Sequence, residues 1–114
     1  MSLDRLTDDE REAVRQSLVT QRAGRFLDEH DLETRIGVPP AAYDALVVAW
    51  PAVDDTDDDS DAALIINNAL NEVCNGGCIP DAQRPRWFTV PREAVRFAYR
   101  QWRTARGWPE GGVR

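Results

Sequence analysis

Residues 91–106 read Pro-Arg-Glu-Ala-Val-Arg-Phe-Ala-Tyr-Arg-Gln-Trp-Arg-Thr-Ala-Arg. This stretch decides the fold class. Ala94, Val95, Ala98, Trp102 and Ala105 recur at helical spacing on one side. Arg92, Arg96, Arg100, Arg103 and Arg106 recur at intervals of four, four, three and three on the other side, with Tyr99 at the border. The pattern predicts an amphipathic helix from Pro91 to Arg106 with an almost purely basic outer face. Gly107 is placed to end it, and Trp108 to pack back over its last turn.

Working outward, the rest of the chain is punctuated in the same manner. Thr7 followed by Asp8, Asp9 and Glu10 is a capping box, inside a first helix expected over Leu3 to Gly24. Val14 and Leu18 share its inner face with Ala13, and Gly24 is expected as a left-handed C-cap. A short helix is expected over His30 to Ile36, ended by Gly37. Pro39-Pro40 then starts a third that runs to Trp50 and stops at Pro51. Residues 52–61 form a connector with Asp at 54, 55, 57, 58, 59 and 61, a density of like charge that favours a solvated loop. Ser60 or Asp61 caps a fourth helix from about Ala62 to Asn75, stopped by Gly76-Gly77. Trp87-Phe88-Thr89-Val90 is β-prone and is expected as a short strand paired with Cys78-Ile79. Residues 109–114 are expected to fray. The sum is a mainly α fold: one compact domain of about five helices with a small hairpin before the last.

Composition narrows the function classes. The chain has 114 residues and a net charge of -6, and all 14 of its basic residues are arginine. The absence of lysine removes Schiff-base and lysine general-base chemistry. The one histidine, His30, sits among Glu29, Asp31 and Glu33. No apolar run approaches the roughly 20 residues that span a bilayer, and no charged-then-apolar leader opens the sequence. Neither a membrane partner nor secretion is expected, and the expected location is the cytoplasm. The charge is unevenly spread. Residues 1–76 carry 6 arginines against 17 acidic residues, a balance of -11, while residues 77–114 carry 8 against 3, a balance of +5.

Three motifs are weaker than they look. Leu32, Ile36, Gly37, Val38, Tyr43 and Leu46 have the spacing of a helix-turn-helix. The segment that would read DNA, residues 40–50, carries no Arg, Lys, Asn or Gln, and its one charge is Asp44. Asp55, Asp57 and Asp59 are spaced like the start of a calcium loop, but the sixth and twelfth positions are Ser60 and Ile66 instead of Gly and Glu. Cys74 and Cys78 lack the further ligands of a zinc site, and a helix C-terminus disfavours the thiolate. No metal, cofactor or catalytic residue is expected, and the chain is not expected to be an enzyme.

Two surfaces remain as candidates. All four asparagines, Asn67, Asn68, Asn71 and Asn75, lie in the fourth helix. Asn67, Asn71 and Asn75 form a line opposite the apolar side made by Ala62, Ile65, Ile66, Ala69, Leu70 and Val73. Asparagine is a poor helix former, so a row of it implies recognition or internal hydrogen bonds in place of plain solvation. The second surface is the arginine stripe, of which Arg92, Arg96, Arg100 and Arg103 are the binding candidates. It can pair bidentately with carboxylates or neutralise phosphates.

The expectation is therefore a small protein-binding module, of inhibitor, immunity-type or regulatory adaptor character. The alternative is a nucleic-acid-associated protein using the stripe, with Trp87 or Trp108 for stacking. A homodimer is a further arrangement, in which the acidic stretch of one chain meets the stripe of another. Sedimentation tests this last idea: a mass that is monomeric at both low and high salt excludes it.

Overall fold

A computed structural model describes residues 2–24, 28–76 and 79–108. It contains six α-helices: α1 (Asp8–Ala23), α2 (Glu29–Ile36), α3 (Pro40–Ala49), α4 (Asp61–Asn71), α5 (Arg84–Trp87) and α6 (Arg92–Ala105). There is no strand among the described residues. The mainly α reading therefore stands. No described helix is long and apolar enough to cross a membrane.

Three helices make the centre. α1, α4 and α6 pack on one another, and α2 and α3 close one side by packing on α1 and α4. Val14 and Leu18 of α1, Ile65, Ile66 and Leu70 of α4, and Val95, Ala98 and Trp102 of α6 are all buried. Each such aliphatic or aromatic side chain contributes roughly 1.5–3 kcal/mol by leaving water. Leu32, Ile36, Val38 and Tyr43 extend the core under the α2–α3 corner.

Helix ends follow the sequence signals with instructive exceptions. The Thr7 capping box forms in both directions, Thr7 accepting from the Glu10 amide and Glu10 from the Thr7 amide. α1 accordingly begins at Asp8 instead of Leu3. Thr7 is extended, and Ser2–Arg5 is a separate 3-10 turn. That turn places Leu3 and Leu6 in the core, and Arg11 donates to both of their carbonyls at 3.2 and 2.8 Å. Gly24 is right-handed (φ -77°), not left-handed, because its amide simply continues the helical pattern to Thr20. Gly37 is left-handed (φ 93°), and Asp28 and Ser60 cap α2 and α4 with their side chains. α4 is shorter than its periodicity implies. From Glu72 to Gly76 the chain widens into a π-turn, with Val73 still in the core.

The expected hairpin is absent. Arg84–Trp87 is one turn of helix with Pro85 in its first turn, and Phe88 donates its amide back to the Arg84 carbonyl. The partner that Thr89 would find in a sheet is supplied by a side chain. Buried Gln16 of α1 accepts from the Thr89 amide at 3.0 Å and donates to its hydroxyl at 2.7 Å. A satisfied backbone has no need of a second strand. This extra helix also raises the count above the five expected. Cys78, the other half of the expected hairpin, and the expected fraying over 109–114 lie outside the described residues.

Two outcomes test this account. A Cβ at Gly37 would sit 3.2 Å from Leu64 Cδ2 on a left-handed backbone. Gly37→Ala is expected to lower stability by about 1–2 kcal/mol in a urea melt. Glu12, bound by Arg15 and also by Gln16, is held down at about 2 from an ordinary 4.5. Its folded-state pKa is depressed, so its stabilisation is present above about pH 4.5 and disappears as the pH falls towards 2. Stability measured across that window is expected to fall less steeply in Glu12→Gln. The difference is expected to be small, because the pair is partly exposed.

Candidate interaction surface

The arginines of α6 do not share one fate. Arg106 is just past the helix end, and its side chain is only 2% exposed. Its guanidinium lies 4.8 Å from the ring centres of both Trp102 and Trp108. It donates to the Asp55 carbonyl, to the Asp58 carboxylate and, at 3.2 Å, to the Ser2 hydroxyl. The Asp55 carboxylate lies 3.4 Å away, itself fully buried, and accepts from the Trp102 indole N–H at 2.8 Å. The connector and the stripe therefore meet within one chain. The connector is not simply solvated, since Val53 and Asp55 both turn inward. The alternating aspartates do not converge as a calcium loop would require, because Asp55 points into the core while Asp57 and Asp59 are exposed.

Arg103 is internal as well, at 2% exposure. It donates to Asn67 Oδ1 at 2.6 Å and to the Tyr99 hydroxyl at 3.4 Å, and lies over the Trp108 ring. Tyr99 donates to the same Asn67 oxygen at 2.7 Å, and burial pushes its hydroxyl pKa up. Asn68 reaches the other way, donating to the Ile36 carbonyl at 2.8 Å and so satisfying the C-terminus of α2. Two of the four asparagines thus make internal bonds that tie α4 to α6 and to α2.

The remaining candidates stay at the surface and lie together. Asn71 and Asn75 are exposed, and Asn75 donates to Asn71 at 3.0 Å. Arg96 and Arg100 are exposed on α6, and Arg96 donates to the Cys74 carbonyl at 3.4 Å. Asn67 meets Arg103 at one end of the α4–α6 seam, and Cys74 meets Arg96 at the other. Asn71 and Arg100 therefore fall between these two points, on adjoining rows. Arg92, the first residue of α6, is bound to Asp81. Phe97, 49% exposed, projects from the same helix beyond Arg96 and Arg100. It is the one large residue of this surface that the helical pattern did not single out, because periodicity marked the arginines and left the outer apolar residue unweighted.

In the segment with helix-turn-helix spacing, Leu32, Ile36, Val38, Tyr43 and Leu46 are buried in the core. Asp44 of α3 is engaged bidentately by Arg22 at 2.8 and 3.0 Å, and that contact pulls its carboxyl below the ordinary range. Comparison with protein-family models, curated proteins and solved structures finds no match.

Removing a partner from the Asp55–Arg106 pair leaves a buried charge uncompensated. Asp55→Ala is expected to cost about 3–5 kcal/mol in chemical denaturation. Asp57→Ala, an exposed change on the same loop, is expected to stay within about 0.5 kcal/mol of wild type.

Proposed function

We propose that this chain is a small, non-enzymatic protein-binding module of the inhibitor, immunity-type or regulatory adaptor kind. Its contact surface is the α4–α6 seam: Asn71 and Asn75 on one row, Arg96 and Arg100 on the other, and Phe97 at the edge. The observation that supports the reading is the contact of Arg96 with the Cys74 carbonyl across the seam, with Asn71, Asn75, Arg96, Arg100 and Phe97 all exposed on the two helices and the turn that follows α4. Arginine and aromatic side chains are the residues that most often anchor protein interfaces. Short amides hydrogen-bond in both senses and lose little side-chain entropy when a partner docks. The complementary surface is acidic, with acceptors for the two arginines.

Nucleic-acid binding needs a longer positive row than this surface offers. Arg103 and Arg106 are spent inside the molecule, and Arg92 is paired with Asp81. The exposed basic row is thus shorter than the periodic stripe implied, which favours the protein partner.

The test is affinity capture from the native host, followed by titration of the captured protein. Asn71→Arg and Arg100→Glu are each expected to weaken that complex by roughly 30-fold, the equivalent of about 2 kcal/mol for an interface anchor. Thr34→Glu, exposed on α2, is expected to leave it unchanged. Equal binding by all four proteins would sink the seam as the contact surface. Binding of a single-stranded oligonucleotide that fades steeply with salt and is lost in Arg100→Glu would favour the nucleic-acid reading instead.

A further inference from the structure

A second site lies on the other side of the π-turn. Residues of the Ile79–Arg84 segment, of the π-turn (Val73–Asn75) and of the start of α6 (Arg92) line an open polar cleft of about 400 Å³. Cys74, Asn75, Asp81, Arg84 and Arg92 line it, over an apolar floor of Val73 and Ile79. Arg84 is the unusual member. Its guanidinium is stacked 4.9 Å from the Phe88 ring centre, which fixes its position. Its Nη2 is buried and has no hydrogen-bond partner among the described residues. An orphan guanidinium donor is costly unless something binds it. Burial first, and the nearby Arg92 after it, pull the Arg84 pKa below the ordinary arginine range, with Asp81 acting in the opposite sense.

The field around the cavity is positive. Cys74 lies in the field of Arg96, Arg84 and Arg92, although burial outweighs them and raises its thiol pKa. The one carboxylate lining the cavity is Asp81, which is bound to Arg92 and largely exposed. Arg84 and Arg92 against Asp81 leave the lining with an excess of one positive charge, and Arg96 adds to the field from outside it, which suits an anion. Guanidinium donors from two separate elements suit an anion with oxygens pointing in several directions. The volume is in the range of small-molecule sites and exceeds the needs of a lone tetrahedral ion.

We infer that this cavity binds a phosphate-type oxyanion, free or carried as a monoester on a small molecule, with the Arg84 and Arg92 guanidiniums as its principal donors. The site adjoins the α4–α6 seam proposed above, with Asn75 common to both, and its test uses none of the seam variants.

The experiment follows thermal unfolding and the arginine Nε–Hε signals of the 15N-labelled chain. The probes are inorganic phosphate and glycerol 3-phosphate, with sodium chloride at matched ionic strength as the comparison. Both phosphates are expected to raise the midpoint saturably and to shift the Arg84 signal, while chloride does neither. Arg84→Gln is expected to weaken the apparent affinity by about tenfold or more, and Arg35→Gln, whose partner is Glu72, to leave it unchanged. Tighter binding of the monoester identifies a phosphorylated small molecule as the source, and equal binding identifies free phosphate. Should Arg84→Gln lose its far-UV helical signal, Arg92→Gln, at a partly exposed position, takes its place with the same expectation. An equal response to chloride, no saturable response, or undiminished binding by the variant overturns the proposal. Displacement of phosphate by an oligonucleotide at the same arginines would overturn the small-molecule assignment.

Discussion

The buried guanidinium of Arg106 holds the molecule together at the point where its parts are hardest to join. Three separate segments converge on it: the first described turn through Ser2, the acidic connector through Asp55 and Asp58, and the end of α6 through Trp102 and Trp108. A single charge in such a place would be strongly unfavourable alone. It is tolerated because two carboxylates, a backbone carbonyl, a hydroxyl and two aromatic faces surround it. Trp102 has a double role, filling the core and donating its indole N–H to Asp55. The connector is thereby fixed in its path from α3 to α4, and the start of α4 is placed against α6.

This arrangement changes the meaning of the charge asymmetry. An acidic first part and a basic second part suggested two opposed surfaces waiting for partners. Much of the opposition is resolved locally, by Arg106 with Asp55 and Asp58, Arg92 with Asp81, and Arg22 with Asp44. What is exposed along the α4–α6 seam is a narrower feature, Asn71 and Asn75 on one side and Arg96 and Arg100 on the other, with Arg96 against the Cys74 carbonyl. The all-arginine composition suits both roles. A guanidinium stacks on tryptophan and forks to carboxylate inside the protein, and the proposed contact surface would use the same geometry toward an external acid.

The helices were legible because capping and periodicity are local. Thr7, Ser60, Gly37, Pro40 and Gly107 each mark an end through chemistry that acts within a few residues. Residues 87–90 misled because β-propensity is weighed against tertiary partners. Gln16, seventy-three positions away, satisfies the Thr89 backbone, and no local pattern announces that. At the candidate site, helical spacing located the asparagine line and the arginine stripe on their own helices. It did not show that Asn67 and Arg103 face each other, which depends on how α4 and α6 pack. One further signal was present: Val53 and Asp55 alternate inward, as an extended segment with a buried side would, and Trp102 on an apolar face needed an acceptor for its N–H. The Arg84 cavity had no such signal, because it is assembled from a π-turn and an irregular segment.

The packing of α6 against α1 has a consequence for the order in which the fold can form. These two helices make the most extensive contact in the molecule, yet they are separated by most of its length. During synthesis α1, α2, α3 and α4 emerge first, and the parts of α1 and α4 that pack on α6 stay uncovered until residues 92–106 leave the ribosome. The polar groups on the buried side of α1 suit that interval. Ser17 and Thr20 bond to carbonyls one turn back, and so satisfy themselves without waiting for a neighbour. Closure by a late, distant helix makes the last step of folding depend on a long-range encounter.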